Sequence, residues 1–301
     1  LRAVQFNLPY IQLAGVHAQF PSTAPRTVLA LHGWLDNAAS FTPLLQELEI
    51  QAQLESTAET AAQPHTLDLI ALDFAGHGHS DHRPQGAWYY FTEYVADVIA
   101  LIQQQQQQQQ WSNLELLGHS MGGYVAQLVA AALPDQVQRV TAIEAMGLWL
   151  GQGGNLVTHL QKATAQRSEL RSKAAPCYKD LQRLVNLRAE LNDLTPDLAR
   201  LLIERSVVTT ERGFEWRVDP RVRLPSPIRF TAAHAVDMLE NIRCPLHVVL
   251  GDSGHNDLHQ AIQNWQHHVQ QLTTLTIEGG HHAHMQSPAD IARILLDRAG
   301  S

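Results

Sequence analysis

Gly118-His119-Ser120-Met121-Gly122-Gly123 follows the apolar run Leu114-Glu115-Leu116-Leu117 and precedes a helical stretch, Tyr124 to Leu133. A serine therefore stands at a tight strand-to-helix turn, with glycine two residues to either side. Such an elbow strains the serine backbone, and side chains at the flanking positions would collide as strand and helix fold together. The hydroxyl is pushed out of the turn, and the following N–H groups open the helix at its positive end. A glycine-rich turn whose serine merely caps a helix shares this composition, but the strand–turn–helix context favours the elbow.

Working outward, short apolar runs recur at Thr27-Val28-Leu29-Ala30-Leu31, Leu67 to Leu72, Val140 to Ile143, Leu246 to Leu250 and Leu272 to Ile277. Helical patterns separate them, at about Ser40 to Leu48, Thr92 to Ile102, 257 to 271 and Pro288 to Arg298. Buried strands alternating with helices predict an α/β protein with a mainly parallel sheet covered on both faces. Residues 3 to 20 alternate around Leu8-Pro9 and read as a hairpin or edge strands. Residues 49 to 66 are polar and alanine-rich, as expected of a surface insertion. The eight glutamines Gln103 to Gln110 read as an exposed helix end. Residues 147–240 carry Leu-, Arg- and Glu-rich helical patterns with no buried strand. They are expected to form a helical cap inserted in a core of residues 1–146 and 241–301. The cap would lie over the C-terminal sheet edge, where ligands bind in open α/β sheets.

The chain has 301 residues, 45% hydrophobic and 17% charged, which describes a globular protein with ample core. Its 21 basic and 29 acidic residues give a net charge of −8. Without a basic stripe, nucleic acid is not expected as a partner. Cys177 and Cys244 form neither a disulfide framework nor a metal set, which fits a reducing compartment. Leu1 to Phe6 lack the apolar core of a signal peptide, and no uncharged apolar run reaches the ~20 residues needed to span a bilayer. A cytoplasmic location without membrane contact is expected. The 17 histidines are mostly scattered, and no metal is expected.

A neutral serine hydroxyl is a poor nucleophile, so Ser120 needs a general base. The loop Glu278-Gly279-Gly280-His281-His282-Ala283-His284 lies between the last strand and the last helix. His281, directly after two glycines, is the expected base; His282 and His284 are its alternatives. The oxyanion donors would be the N–H groups of Met121, at the helix start, and Trp34, in the turn His32-Gly33-Trp34 after a buried strand. Three carboxylates could orient the imidazole. Glu144 ends a strand 24 residues after Ser120, while Asp252 and Asp257 follow Leu250-Gly251. An unpaired Glu144 beside the core would be costly, so it leads, followed by Asp252 and then Asp257. Asp73 is expected to brace the oxyanion loop. Trp149 and Leu150 open the cap and would line an acyl pocket or simply pack.

Over nearly its whole length the chain resembles the α/β-hydrolases, and more narrowly their serine hydrolase-like, kraken-related branch. The narrower likeness is carried by His32-Gly33-Trp34-Leu35-Asp36-Asn37, by Gly118 to Gly123, by Arg212 to Thr231 and by Ile242-Arg243-Cys244-Pro245. It implies an eight-stranded sheet, a Ser–acid–His triad and hydrolysis without a cofactor. Haloalkane dehalogenase relatives carry their acid at the place matching Glu144, which favours that residue. They use an aspartate nucleophile where this chain has Ser120, so halide or epoxide chemistry is not expected. The commoner hydrolase pattern puts an aspartate where this chain has Gly254. The expected activity is hydrolysis of carboxylic esters of small or medium acyl groups through an acyl-enzyme on Ser120. Thioester, lactone or carbon–carbon bond hydrolysis, perhydrolysis, or a non-catalytic binding role are the alternatives.

Overall fold

The computed structural model describes residues 1–57, 65–150, 155–170 and 176–297. The first half of the chain forms β1 (Arg2–Leu8), β2 (Ile11–Ser22), β3 (Arg26–Leu31), α1 (Thr42–Thr57), β4 (His65–Leu72), α2 (Phe91–Gln107), β5 (Leu114–His119), α3 (Met121–Ala132) and β6 (Val137–Ile143). Next come α4 (Leu156–Leu170), β7 (Cys177–Tyr178), α5 (Leu181–Asn192), α6 (Pro196–Ser206), β8 (Val207–Thr210), β9 (Gly213–Trp216) and α7 (Ala232–Asn241). The chain closes with β10 (Leu246–Gly251), α8 (Asp257–Trp265), β11 (Leu272–Ile277), α9 (Ala283–Gln286) and α10 (Pro288–Leu296).

Eight strands make one sheet in the order β1-β2-β4-β3-β5-β6-β10-β11. From β4 to β11 every neighbouring pair is parallel; β2 pairs antiparallel with β1 and β4. The period-two alternation of β3 shows why helices cover both faces. Leu29 and Leu31 pack with Val98 and Leu101 of α2, Val125 and Val129 of α3, and Leu239 of α7. Val28 and Ala30 pack on the opposite face with Leu44, Leu45 and Leu48 of α1 and Ile291 and Leu295 of α10. A central strand covered on both faces is apolar along the run between its helices, as Val28 to Leu31 are; the buried Arg26 at the start of β3 is paired with Glu115 at 2.8 Å.

Three local expectations change. Helix α1 continues to Thr57 rather than ending near Leu48, because polar helix formers such as Gln51 and Glu49 extend an exposed face as readily as they form a loop. Of the rest of the expected surface insertion, His65 and Thr66 open β4 and residues 58–64 lie outside the described residues. The first five glutamines continue α2 to Gln107. Gln105 is buried and the Gln104 side-chain amide donates to the Asn7 carbonyl at 2.9 Å, so the tract is only partly exposed. Residues 147–240 are not all helical: β7, β9 and β8 form a three-stranded antiparallel sheet. None of the described helices is long and apolar enough to cross a membrane.

The segment between β6 and β10 is held to loops that follow the parallel strands. Asn37 donates to the Leu202 carbonyl and to Ser206 Oγ, both at 2.9 Å. Tyr89 donates to Asp219 at 2.8 Å. The firmest anchor is Asp73, fully buried just past β4. Its carboxylate accepts the Ala38 N–H at 2.7 Å, the His79 N–H at 2.9 Å, and Arg205 of α6 through Nε at 3.0 Å and Nη2 at 2.7 Å. Removing one member of such a buried set leaves the others unpaired, at about 3–5 kcal/mol. Asp73→Ala should therefore lower the urea midpoint by a corresponding amount. A loss near zero would mean that Arg205 and the loop find other partners.

Candidate active site

Ser120 stands between β5 and α3 with φ 49° and ψ −117°, a conformation that side-chain-bearing residues rarely adopt. Its N–H donates to the Ile143 carbonyl at 2.8 Å, which holds the elbow to the end of β6. A Cβ on Gly118 would run into the Gly122 carbonyl, and one on Gly122 into the Leu31 and His32 carbonyls. The start of α3 thus meets the end of β3 backbone against backbone. The Gly123 and Tyr124 N–H groups donate to the Ser120 carbonyl at 2.9 and 3.2 Å. The Met121 N–H, first in α3, has no carbonyl of its own helix to bond.

The loop after β3 lies beside this elbow. A Cβ on Gly33 would stand 2.8 Å from His119 Nδ1, so only glycine permits the approach. His32 fixes the loop from within. The Phe74 N–H donates to its Nε2 at 3.0 Å, so the hydrogen resides on Nδ1, which donates to the Gly33 carbonyl at 2.7 Å. Burial lowers the His32 pKa and keeps that ring neutral. The Trp34 side chain is about half exposed and donates through Nε1 to the Val222 carbonyl at 3.1 Å. Its backbone N–H belongs to the same loop.

Beyond β6, Glu144 also has a positive φ, 53°. Oε1 accepts the Gly251 N–H at 2.9 Å; Oε2 accepts the His255 N–H at 3.1 Å and lies 3.2 Å from His281 Nδ1. Burial alone would raise this carboxyl. The hydrogen bond from His281 and those from the two N–H groups outweigh it, so Glu144 titrates below the ordinary carboxylate range. The ionised acid only accepts, which assigns the His281 hydrogen to Nδ1 and leaves the lone pair of the neutral ring on Nε2. A Cβ on Gly254 would overlap Glu144 Oε1. The Glu144 carboxylate, just past β6, occupies the space beside Gly254, where the commoner pattern has an aspartate.

The other carboxylates are engaged differently. Asp252 accepts the Gly279 N–H at 3.0 Å and the Ser253 hydroxyl at 3.2 Å. Asp257 is exposed in the first turn of α8. Trp149 is largely exposed with the Arg229 guanidinium 4.9 Å from its ring centre, and Leu150 packs against the core. His282 and His284 are both buried away from solvent.

Sequence reasoning did not single out the chemistry of Asp36 and His119. His119 Nε2 donates to the His281 carbonyl at 2.7 Å, so the residue before Ser120 holds the backbone of the residue that faces Glu144. Asp36 Oδ2 lies 3.3 Å from both His119 Nδ1 and His282 Nε2, and Arg188 of α5 bonds Oδ1. Burial would raise the Asp36 carboxyl, but His282 and Arg188 hold it well below the usual range. Both residues lie within the motifs that carry the resemblance, which was the one signal available.

The family model described as the alpha/beta hydrolase fold matches residues 26–288. A serine hydrolase-like protein of Dictyostelium discoideum is 28% identical over 92% of this chain and 76% of its own length. The human serine hydrolase-like protein 2 is 26% identical, over 89% of this chain and 85% of its own. Among solved structures, a hypothetical protein of Pseudomonas aeruginosa PAO1 is 32% identical, covers 99% of this chain and 100% of its own, and superimposes with a TM-score of 0.81. A thioesterase domain from the curacin biosynthetic pathway shares the fold, with a TM-score of 0.79 at 20% identity, covering 98% and 99% of the two chains. With the eight-stranded sheet and the strained serine turn, these likenesses make the chain a member of the α/β-hydrolase family, in its serine hydrolase-like branch.

Proposed function

We propose that the protein hydrolyses carboxylic esters of small or medium acyl groups through an acyl-enzyme on Ser120. The observation that carries this reading is the buried Glu144 carboxylate 3.2 Å from His281 Nδ1, beside an elbow that holds a serine in a strained turn. His281 Nε2 takes the hydroxyl proton as Ser120 Oγ attacks the carbonyl carbon. Glu144 stabilises the imidazolium that forms, without itself being protonated. The N–H groups of Met121 and Trp34 receive the oxyanion. Collapse of the tetrahedral adduct expels the alcohol, which takes the proton from His281. Water, deprotonated by the same nitrogen, then releases the acid and restores Ser120.

The anchors from Asn37, Asp73 and Tyr89 to residues 202–219 support residues 147–240 as a cap over this centre. Trp149 and Leu150, at the entry to that segment, are proposed to bound the acyl side.

Covalent labelling with a fluorophosphonate probe tests the nucleophile. Ser120→Ala should abolish labelling and His281→Ala should slow it. Glu144→Gln should lower kcat on p-nitrophenyl acetate or butyrate by roughly 10²–10⁴-fold. Undiminished labelling of well-folded Ser120→Ala would overturn the assignment, and a native protein that neither labels nor turns over esters would favour a binding role.

Gly254 offers a second test. Gly254→Ala should displace the Glu144 carboxylate and reduce kcat while leaving the circular dichroism spectrum unchanged. In a Glu144→Ala background, Gly254→Asp should recover part of the lost rate, because the new carboxylate enters the vacated space. Full activity in Gly254→Ala would show that the acid does not need its present position.

A further inference from the structure

Ester hydrolysis leaves one polar cluster of this centre unused. Asp36, His119 and His282 are each no more than 3% exposed, and one ligating atom from each lies within 4.8 Å of the others. His119 decides what the cluster offers. Its Nε2 meets the His281 carbonyl, which can only accept, so the single hydrogen of the neutral ring sits there. Nδ1 then turns a lone pair toward Asp36 Oδ2 at 3.3 Å, without a hydrogen-bond partner. Two electron-rich atoms face each other in the interior, an arrangement that a cation between them would relieve.

We propose that Asp36, His119 and His282 hold one divalent transition-metal ion of the zinc type, and that its binding slows the hydrolytic centre. Bonds of about 2.0–2.2 Å in a tetrahedral ion require ligand–ligand edges of about 3.4 Å. The two edges from Asp36 Oδ2 are 3.3 Å, and the third closes by tilting one imidazole. His282 gives up the Nε2 hydrogen it directs at Asp36. Two imidazoles and a carboxylate suit zinc, cobalt or nickel better than magnesium or calcium. The His119 Nε2–H bond to the His281 carbonyl is the kind of outer contact that orients metal-bound histidines. His284, its ring centre 4.1 Å from that of His119 and both nitrogens without partners, is the spare imidazole nearest the set. Arg188, bonded to the other oxygen of Asp36, opposes the ion's charge and makes the site weaker than a structural zinc centre.

The consequence for catalysis follows from chain connectivity. His119 precedes Ser120 and His282 follows His281, so tilting either ring moves a neighbour whose placement must hold within about 0.5 Å. This inhibitory half rests on the proposed ester hydrolysis; metal binding does not.

The test uses full-length protein freed of metal by chelator, titrated with cobalt followed by visible absorption and with zinc followed by calorimetry. One ion per chain is expected, with the d–d bands of a low-coordinate cobalt site. His282→Gln should weaken binding by about tenfold or more. His268→Gln, which removes an outer histidine 2.9 Å from Glu240, should leave it unchanged. Zinc should also inhibit ester turnover, reversibly on chelation, and at higher concentration in His282→Gln. No binding, or binding lost in His268→Gln and kept in His282→Gln, overturns the site. Binding without inhibition of an active esterase overturns the regulatory half, and an inactive native protein overturns the same half together with the ester reading while the titration still decides the site. Should His282→Gln fail to fold, X-ray absorption of the zinc-loaded native protein decides: a shell with two imidazoles supports the site, and one without them refutes it.

Discussion

The whole centre hangs on a contact with no side chain in it. Gly122 presses against the Leu31 and His32 carbonyls, and Gly118 against Gly122. That contact brings the first N–H of α3 beside the loop from His32 to Asn37. One Cβ at either glycine would separate the two, and no rotamer could absorb the overlap because the obstructing atoms are backbone. The positive φ of Ser120 follows from the same geometry, since a strand and a helix that meet so closely leave a single strained residue to turn the corner. Stability of the sheet on both faces is what sustains that strain.

A second requirement is electrostatic. Glu144, Asp36 and Asp73 are buried carboxylates around one sheet edge, each at most 2% exposed. A buried anion persists only where donors surround it, and their donors come from different parts of the chain. Two N–H groups and His281 serve Glu144. Two N–H groups and Arg205 serve Asp73. Arg188 and His282 serve Asp36. Arg188 and Arg205 belong to the segment between β6 and β10, so the contacts of that segment with the core include the partners of Asp36 and Asp73. Movement of that segment would strand two carboxylates in the interior, which ties it firmly to the core.

These relations divide what the sequence could disclose from what it could not. Strands buried on both faces were readable because they leave short, wholly apolar runs such as Val28 to Leu31 between helical patterns. The glycines of the elbow were readable too, since a required absence of Cβ leaves a mark on the chain. Strands β8 and β9 were not, because their half-buried residues (Val208, Phe214, Glu215, Trp216) mix apolar and polar side chains in runs of four residues. The end of α1 was obscured by polar residues that favour a helix and a loop alike. The acid stood open among Glu144, Asp252 and Asp257, because all three follow the end of a strand and the chain alone does not show which lies near His281. Which one meets His281 depends on how β6 and β10 lie side by side.

Gly254 is the instructive position. Read alone, it is a missing aspartate and argues for a damaged centre. Set against Glu144, it is the space a carboxylate from the neighbouring strand requires. A departure from a familiar pattern can thus carry the same information as the pattern, provided the compensating residue is sought on the adjacent strand. Asp36 lacked even that sign: its contact with His282 joins residues 246 positions apart, and neither changes the local pattern around it. Buried polar clusters of this kind become visible only when the donors and acceptors of each ring are counted in three dimensions. For His119, that count ends with a lone pair facing an anion.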